Sequence, residues 1–193
     1  MYRYIKFYKP FEVLCQFTPS AGRRTLKDFI SLPGVYPAGR LDYRSEGLLV
    51  LTDDGLLIQR LTDPRYTHTK TYLVQVEGVV TPQSIERLNT EMVLPNLQTR
   101  LPFAQPIANP EIPPRSKPVR DYHPTSWLKI TLLEGKKHQV RRMTATVGFP
   151  TLRLIRIAIG NLAVSNMQPG EWHPLTNEEL CQLQSTNNGL HSR

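Results

Sequence analysis

Cysteine is scarce in this chain, metal-ligand spacings do not occur, and no apolar run is long. The 193 residues hold two cysteines, Cys15 and Cys181, too few for a disulfide framework. Cys15 lies in Val13-Leu14-Cys15-Gln16-Phe17, which reads as a strand and makes the thiol a small buried side chain. The five histidines (68, 123, 138, 173, 191) never pair at three or four residues, and there is no Cys-x-x-Cys, so no zinc site is expected. Nothing approaches the ~18 apolar residues of a membrane span. Met1-Tyr2-Arg3-Tyr4-Ile5-Lys6 lacks the apolar core of a secretory signal, and a cytoplasmic location is expected by default.

Acidic residues are also in deficit. The formal net charge is +8. Residues 1–160 carry 23 Lys and Arg against 13 Asp and Glu, or +10, and residues 161–193 carry 1 against 3, or −2. The positive charge therefore belongs to the body of the fold, in clusters such as Arg23-Arg24-Lys27, Arg115-Lys117-Arg120 and Lys136-Lys137-Arg141-Arg142. Basic side chains on phosphates release condensed counterions, so a nucleic acid is the natural partner.

With 39% hydrophobic residues the chain can bury an ordinary core. Tyr4–Tyr8 and Val13–Phe17 read as strands around a turn at Lys9-Pro10. Thr25 is placed to cap a short helix over Leu26–Ile30. Leu48–Leu51 reads as a strand buried on both faces. Asp53 or Asp54 caps a helix carrying Leu57, Ile58 and Leu61 on one face. Lys70–Glu77 alternates as a strand, with Tyr72, Val74 and Val76 facing one way. Pro82, just inside Thr81, starts a helix through Leu88. A second group follows: strand Ser126–Leu133, helix His138–Val147 with Val140, Met143 and Val147 inward, strand Leu152–Ile159 and helix Asn177–Gln184. Many short strands among helices predict an α+β fold with a mixed, mainly antiparallel sheet. The expected organisation is one domain over 1–193. Its lobes are about 1–94 and 125–193, joined by a loop over 95–124 where eight of the seventeen prolines fall.

The stretch GRLDYRSEGLLVLTDDG places Asp42 on a glycine-led loop directly before the apolar strand. A carboxylate fixed beside low-dielectric protein is a reagent rather than a surface charge. EGKKHQVRRM (Glu134–Met143) supplies the cations such a group needs. Other acids are less suited: Asp53 and Asp54 read as caps, Glu46 as a ligand for a loop amide, Glu134 as a turn residue. A two-carboxylate hydrolase is therefore poorly supported.

These stretches resemble the signatures of the small-subunit-type (RsuA-like) pseudouridine synthases. Lys9-Pro10, GRLD with its following Ser-x-Gly-Leu-Leu, Lys70-Thr71-Tyr72, EGKKHQVRRM and Leu154–Gly160 stand in that family's order over roughly residues 6–160. PTSWLKITL and TVGFPTLRLIR resemble members acting on large-subunit (23S) ribosomal RNA. By this resemblance the chain is expected to start at the catalytic strand, either lacking the S4-type RNA-binding domain that precedes it in many relatives or truncated after it. Lys137-His138 replaces a common Asn-Arg and Tyr43-Arg44 a common Arg-Asp, changes expected to touch RNA contacts rather than chemistry.

The resemblance implies a pseudouridine synthase fold, two lobes around a catalytic cleft, and isomerisation of a uridine in 23S ribosomal RNA. That reaction consumes no cofactor and exchanges no electron. The expected partner is the RNA, with no membrane, and the chain a monomer. By the same resemblance Asp42 is the carboxylate acting on the ribose, Arg141 its salt-bridging cation and Tyr72 the aromatic against the base. Arg141 and Arg142 lie about 100° apart on a helix, so only one can face Asp42. Arg40 either fills the space left by a flipped base or holds the loop; Leu154 either packs beside the base or is a core leucine. Lys136, Lys137, His138 and Arg142 are expected RNA contacts. The alternative is a non-catalytic RNA-binding ribosome-assembly factor on the same scaffold.

Overall fold

The computed structural model describes residues 2–95, 97–100, 102–119 and 122–185. His191 and Arg120, the last member of the second basic cluster, lie outside them. The first half of the chain runs β1 (Tyr4–Lys9), β2 (Val13–Leu14), β3 (Arg24–Thr25), β4 (Tyr36–Pro37), β5 (Glu46–Thr52), α1 (Gly55–Thr62), β6 (Lys70–Glu77) and α2 (Pro82–Leu88). The second runs β7 (Val93–Leu94), β8 (Leu97–Gln98), β9 (Phe103–Ile107), β10 (Thr125–Leu132), α3 (Gln139–Thr146), β11 (Thr151–Ile159), β12 (Leu162–Ala163), β13 (Trp172–Pro174) and α4 (Asn177–Gln184).

One sheet organises them, in the order β13-β1-β5-β11-β6-β10-β9, with β4 beside β5 and β12 beside β11. Its pairings are antiparallel except β5 with β11, which run parallel over two residue pairs, Glu46–Ile155 and Gly47–Arg156. The sheet is thus two antiparallel halves joined at a short seam. Gly47 makes the seam possible. It has φ +100°, and a Cβ there would lie 2.8 Å from the Arg156 nitrogen and closer still to its carbonyl oxygen, so no other residue fits.

The β5 run is buried at all seven positions, because it has protein on both faces. Leu48 and Val50 pack with Leu57 and Leu61 of α1 and Leu183 of α4. Leu49 and Leu51 pack with Ile5, Phe7 and Leu26. Each contributes on the order of 1.5–3 kcal/mol by burial. On β6, Tyr72, Val74 and Val76 join one core with Leu128, Ile130, Val140, Met143 and Leu154, while Leu73 faces the other side with Tyr8, Trp127 and Ile155. Asp54 caps α1, accepting from Leu56 and Leu57 N–H, and Thr81 caps α2.

Several expectations need correction. Residues 95–124 do not form a loop throughout. Phe103–Ile107 is β9, paired with β10 at the edge of the sheet, where Pro106 is tolerated because an edge strand has no second neighbour to bond. This segment is also anchored: the Arg115 guanidinium stacks 4.1 Å from the Phe11 ring centroid, and Pro113 C=O accepts from Arg153. Nor does the sheet divide at that segment, since β6 lies between β11 and β10, and β1 between β5 and β13. Val13–Phe17 keeps only two strand residues, pairing with β3 in a small parallel sheet. The turn after β1 falls at Phe11-Glu12, with Glu12 at φ 56°. Leu26–Asp28 is a single 3-10 turn rather than a helix to Ile30. Asp53 caps nothing; it accepts from the Arg3 backbone N–H and guanidinium. Glu46 binds no loop amide but is 1% exposed and takes both Nε and Nη2 of Arg153, at 2.9 Å each.

Candidate active site

Asp42 stands on the loop that leads into β5, and that loop is tied down from four directions. Leu41 N–H donates to Cys15 Sγ at 3.3 Å. Glu12 N–H donates to Tyr43 C=O at 3.0 Å. Lys9, at 0% exposure, donates from Nζ to Ser45 C=O at 2.7 Å, to Pro10 C=O at 2.8 Å and to Tyr43 C=O at 3.4 Å. Arg141 Nη2 donates to Arg44 C=O at 2.9 Å. Burying the Lys9 amine pushes its pKa down to about 8, against the pull of Cys15, Glu46 and Asp42. Lys9 was legible as buried: Ile5, Phe7 and Lys9 share one parity on β1, whose first two members are plainly core. Cys15 is half-buried rather than buried, and burial raises its thiol pKa.

The loop opens onto a cleft of about 520 Å³ lined by Arg40, Asp42, His68, Lys70, Tyr72, Lys136, Lys137, His138, Leu154 and Arg156, among others. This cleft joins seven of the nine residues expected at the site. Tyr72 is 7% and Leu154 5% exposed, so both form wall and floor. Arg40 and Lys137 are exposed at the rim. Lys136, also exposed, pairs with Glu134 at 3.4 Å and donates to Gln98 C=O. Glu134 is no bare turn residue: 4% exposed, it also accepts from Arg100 N–H and Gln139 Nε2.

Arg141 and Arg142 do not line the cleft. Arg142 donates to Pro95 C=O. Arg141 bonds to Arg44 and Thr151 carbonyls; burial lowers its pKa while the charge of Asp42 raises it. Asp42 thus acts on Arg141 through space. The side chain that meets the Asp42 carboxylate among the described residues is His138, with Nε2 3.4 Å from Oδ1. His138 sits at the N-cap of α3 in the left-handed region, φ 54°, which turns its ring back to the loop. The expected Arg141–Asp42 salt bridge is therefore replaced by a His138 contact, and the Lys137-His138 departure lies nearer the carboxylate than expected. Spacing could not reveal this, because the direction of His138 depends on a backbone twist outside the helix.

Arg156 was missed. It lies opposite Tyr72 in the β11–β6 pairing, on the same face as Leu154, and is 3% exposed. The signal was present: one arginine at core parity in the apolar run Leu154–Ile159. Lys70, two residues before Tyr72 on the same face, has its pKa pushed down to about 8 by burial first and by Arg156 second.

A carboxylate on a braced loop, an aromatic wall, an aliphatic side chain and a cationic rim form a pocket for one extruded base. The family model for RNA pseudouridylate synthase matches residues 3–146. The chain belongs to that family. It is 48% identical to the ribosomal large subunit pseudouridine synthase E of Vibrio vulnificus over 174 residues, 89% of this chain and 74% of that protein. It is 32% identical to the ribosomal small subunit pseudouridine synthase A of Escherichia coli over 185 residues, 94% of this chain and 74% of that one. A solved pseudouridylate synthase superposes with a TM-score of 0.78 at 28% identity, covering 95% of this chain and 74% of that chain. The chain is accordingly an isomerase of RNA uridine with the family's α+β architecture. Among the described residues no helix is long and apolar enough to cross a membrane.

Proposed function

We propose that this enzyme converts a uridine of large-subunit (23S) ribosomal RNA to pseudouridine, as a monomer in the cytoplasm, with Asp42 as its essential carboxylate. The 48% identity to a large-subunit synthase, against 32% to a small-subunit one, favours the large subunit. The observation carrying the site assignment is the braced Asp42 loop at the mouth of a cleft walled by Tyr72. The reaction breaks the C1′–N1 bond, turns the base and joins C5 to C1′. Asp42 acts on the ribose, either by attack at C1′ or by taking a proton from C2′. Tyr72 stacks on the uracil, and its hydroxyl assists loss of the C5 proton. His138 Nε2 contacts the Asp42 carboxylate, and the Arg141 guanidinium interacts with it through space. Lys136 and Lys137 at the rim hold phosphates, Arg40 beside them binds the RNA at the place the flipped base leaves, and Leu154 packs beside the base. Arg142, bonded to Pro95 away from the cleft, contributes to RNA contact from the outer face of α3.

The test is tritium release from large-subunit RNA labelled at uridine C5, with wild type and Asp42→Asn side by side. Wild type is expected to release tritium and the variant to fall by at least ~10³-fold while binding RNA as before. RNA binding without release by wild type would support the assembly-factor reading instead.

A further inference from the structure

Arg156 is the strongest unexplained group in the molecule. Its Nε donates to Leu48 C=O at 2.8 Å, but Nη2 is buried with no hydrogen-bond partner among the described residues. A buried guanidinium N–H left unpaired is costly, since its hydration is lost and nothing replaces it. Among the described residues no carboxylate pairs with Arg156, whereas the other buried arginine of β11 gives Nε and Nη2 to Glu46 and Nη2 also to Pro113 C=O. Arg156 lines the cleft, directly across from Tyr72 in the sheet. Strand neighbours so paired hold their side chains about 5 Å apart on one face. A buried cationic side chain with an unpaired N–H therefore lines the cleft, beside the ring assigned to the base.

We infer that Arg156 donates a hydrogen bond to a uracil carbonyl and stabilises the negative charge the base acquires when it leaves the ribose. This rests on the reaction proposed above. Depth distinguishes base from phosphate. The RNA backbone meets the exposed rim cations Lys136 and Lys137, and only an extruded base reaches a side chain 3% exposed. As C1′–N1 breaks, its electron pair stays with the base and spreads over O2 and O4. Arg156 remains protonated throughout and transfers nothing; it supplies a fixed donor where charge develops. Uracil turned half a revolution about its N3–C6 axis exchanges N1 with C5 and O2 with O4. One immobile N–H therefore serves both orientations: it meets one carbonyl before the turn and the other after it.

The experiment compares single-turnover rates on RNA carrying uridine or 5-fluorouridine at the target. Fluorine makes the departing base a weaker base, so bond cleavage depends less on the arginine. C5–F loses no proton, so consumption of 5-fluorouridine reads the cleavage and rejoining steps. With Arg156→Gln the uridine rate is expected to fall by about 10²-fold or more, the 5-fluorouridine rate by less than about tenfold, and RNA affinity to stay within twofold. Arg156→Lys keeps the charge but cannot serve Leu48 and the base together; it is expected to show the same contrast more weakly if the glutamine variant does not fold. Equal losses on both bases, or no loss, in either folded variant overturn the inference while leaving the isomerase intact. No uridine turnover by wild type removes both.

Discussion

Arg153 and Arg156 are close neighbours on β11, both buried, at 7% and 3% exposure, and they face opposite sides of the sheet. On the back face Arg153 is closed: Glu46 takes two of its N–H groups and Pro113 C=O another. On the cleft face Arg156 is open, with Nη2 unpaired. The same side chain in the same strand is thus a rivet on one side and an unused donor on the other. The difference lies in the residues supplied across from it. β5 presents a carboxylate to one face and only a backbone carbonyl, that of Leu48, to the other. Where a fold leaves a buried charge half-satisfied, the missing partner is a candidate for the substrate.

The sharpest way to break this contrast is to remove the closed pair. Arg153→Met leaves Glu46 buried and uncompensated, with an expected loss of about 3–5 kcal/mol, read by urea denaturation. The double change Glu46→Leu with Arg153→Met removes both charges and is expected to recover most of that loss. A double variant as unstable as the single would show that the back face needs its ion pair as a charge.

Lys9 sharpens the comparison from a third position, as a buried cation with all its visible bonds made to backbone. Lys9→Met leaves the Ser45 and Pro10 carbonyls unpaired and should slow single turnover by loosening the Asp42 loop. It also predicts a pH dependence. The amine holds its proton to about 8 when folded, against 10.5 ordinarily. Between those values the unfolded chain binds more protons, so the cost of burying Lys9 fades and stability rises with pH. The stability difference between wild type and Lys9→Met, from urea midpoints at pH 7.5 and 9.5, is expected to move in favour of wild type. A constant difference would mean that the amine is not shifted.

The smallest effect belongs to the rim. Changing Lys136 and Lys137 together to Gln should weaken RNA binding and reduce the slope of log affinity against log salt by about 1.5, with single turnover at saturating enzyme unchanged. Lys137 should carry more of it, because Lys136 already pairs with Glu134. A tenfold slower chemical step would place these lysines in the cleft's chemistry.

The same contrast explains what was legible in the sequence. β5 and β6 were readable because burial on two faces writes a continuous apolar run, and burial mainly on one writes an alternating pattern. Asp42, Tyr72 and Leu154 were readable through their motifs. The Glu46–Arg153 pair was not, because its partners are 107 residues apart and nothing local distinguishes a paired glutamate from a solvated one. β9 was hidden by its proline, which argues against a central strand but not against an edge. β13 is three residues long, too short for any period. His138 was placed among RNA contacts because it departs from the family's usual Asn-Arg, and its left-handed backbone at the start of α3, which brings it to Asp42, leaves no mark in a motif.

The position of β13 bears on how the protein is made. β1 lies between β5 and β13, with Phe7 paired to Trp172. On the ribosome β1 and β5 can zip together early, but the outer side of β1 stays an unpaired edge until Trp172–Pro174 has been made and released. At 5–20 residues per second that interval is roughly ten seconds. For that time a nascent chain exposes an open strand, the kind of edge that captures other chains. Full closure of the sheet therefore waits for Trp172–Pro174 to emerge.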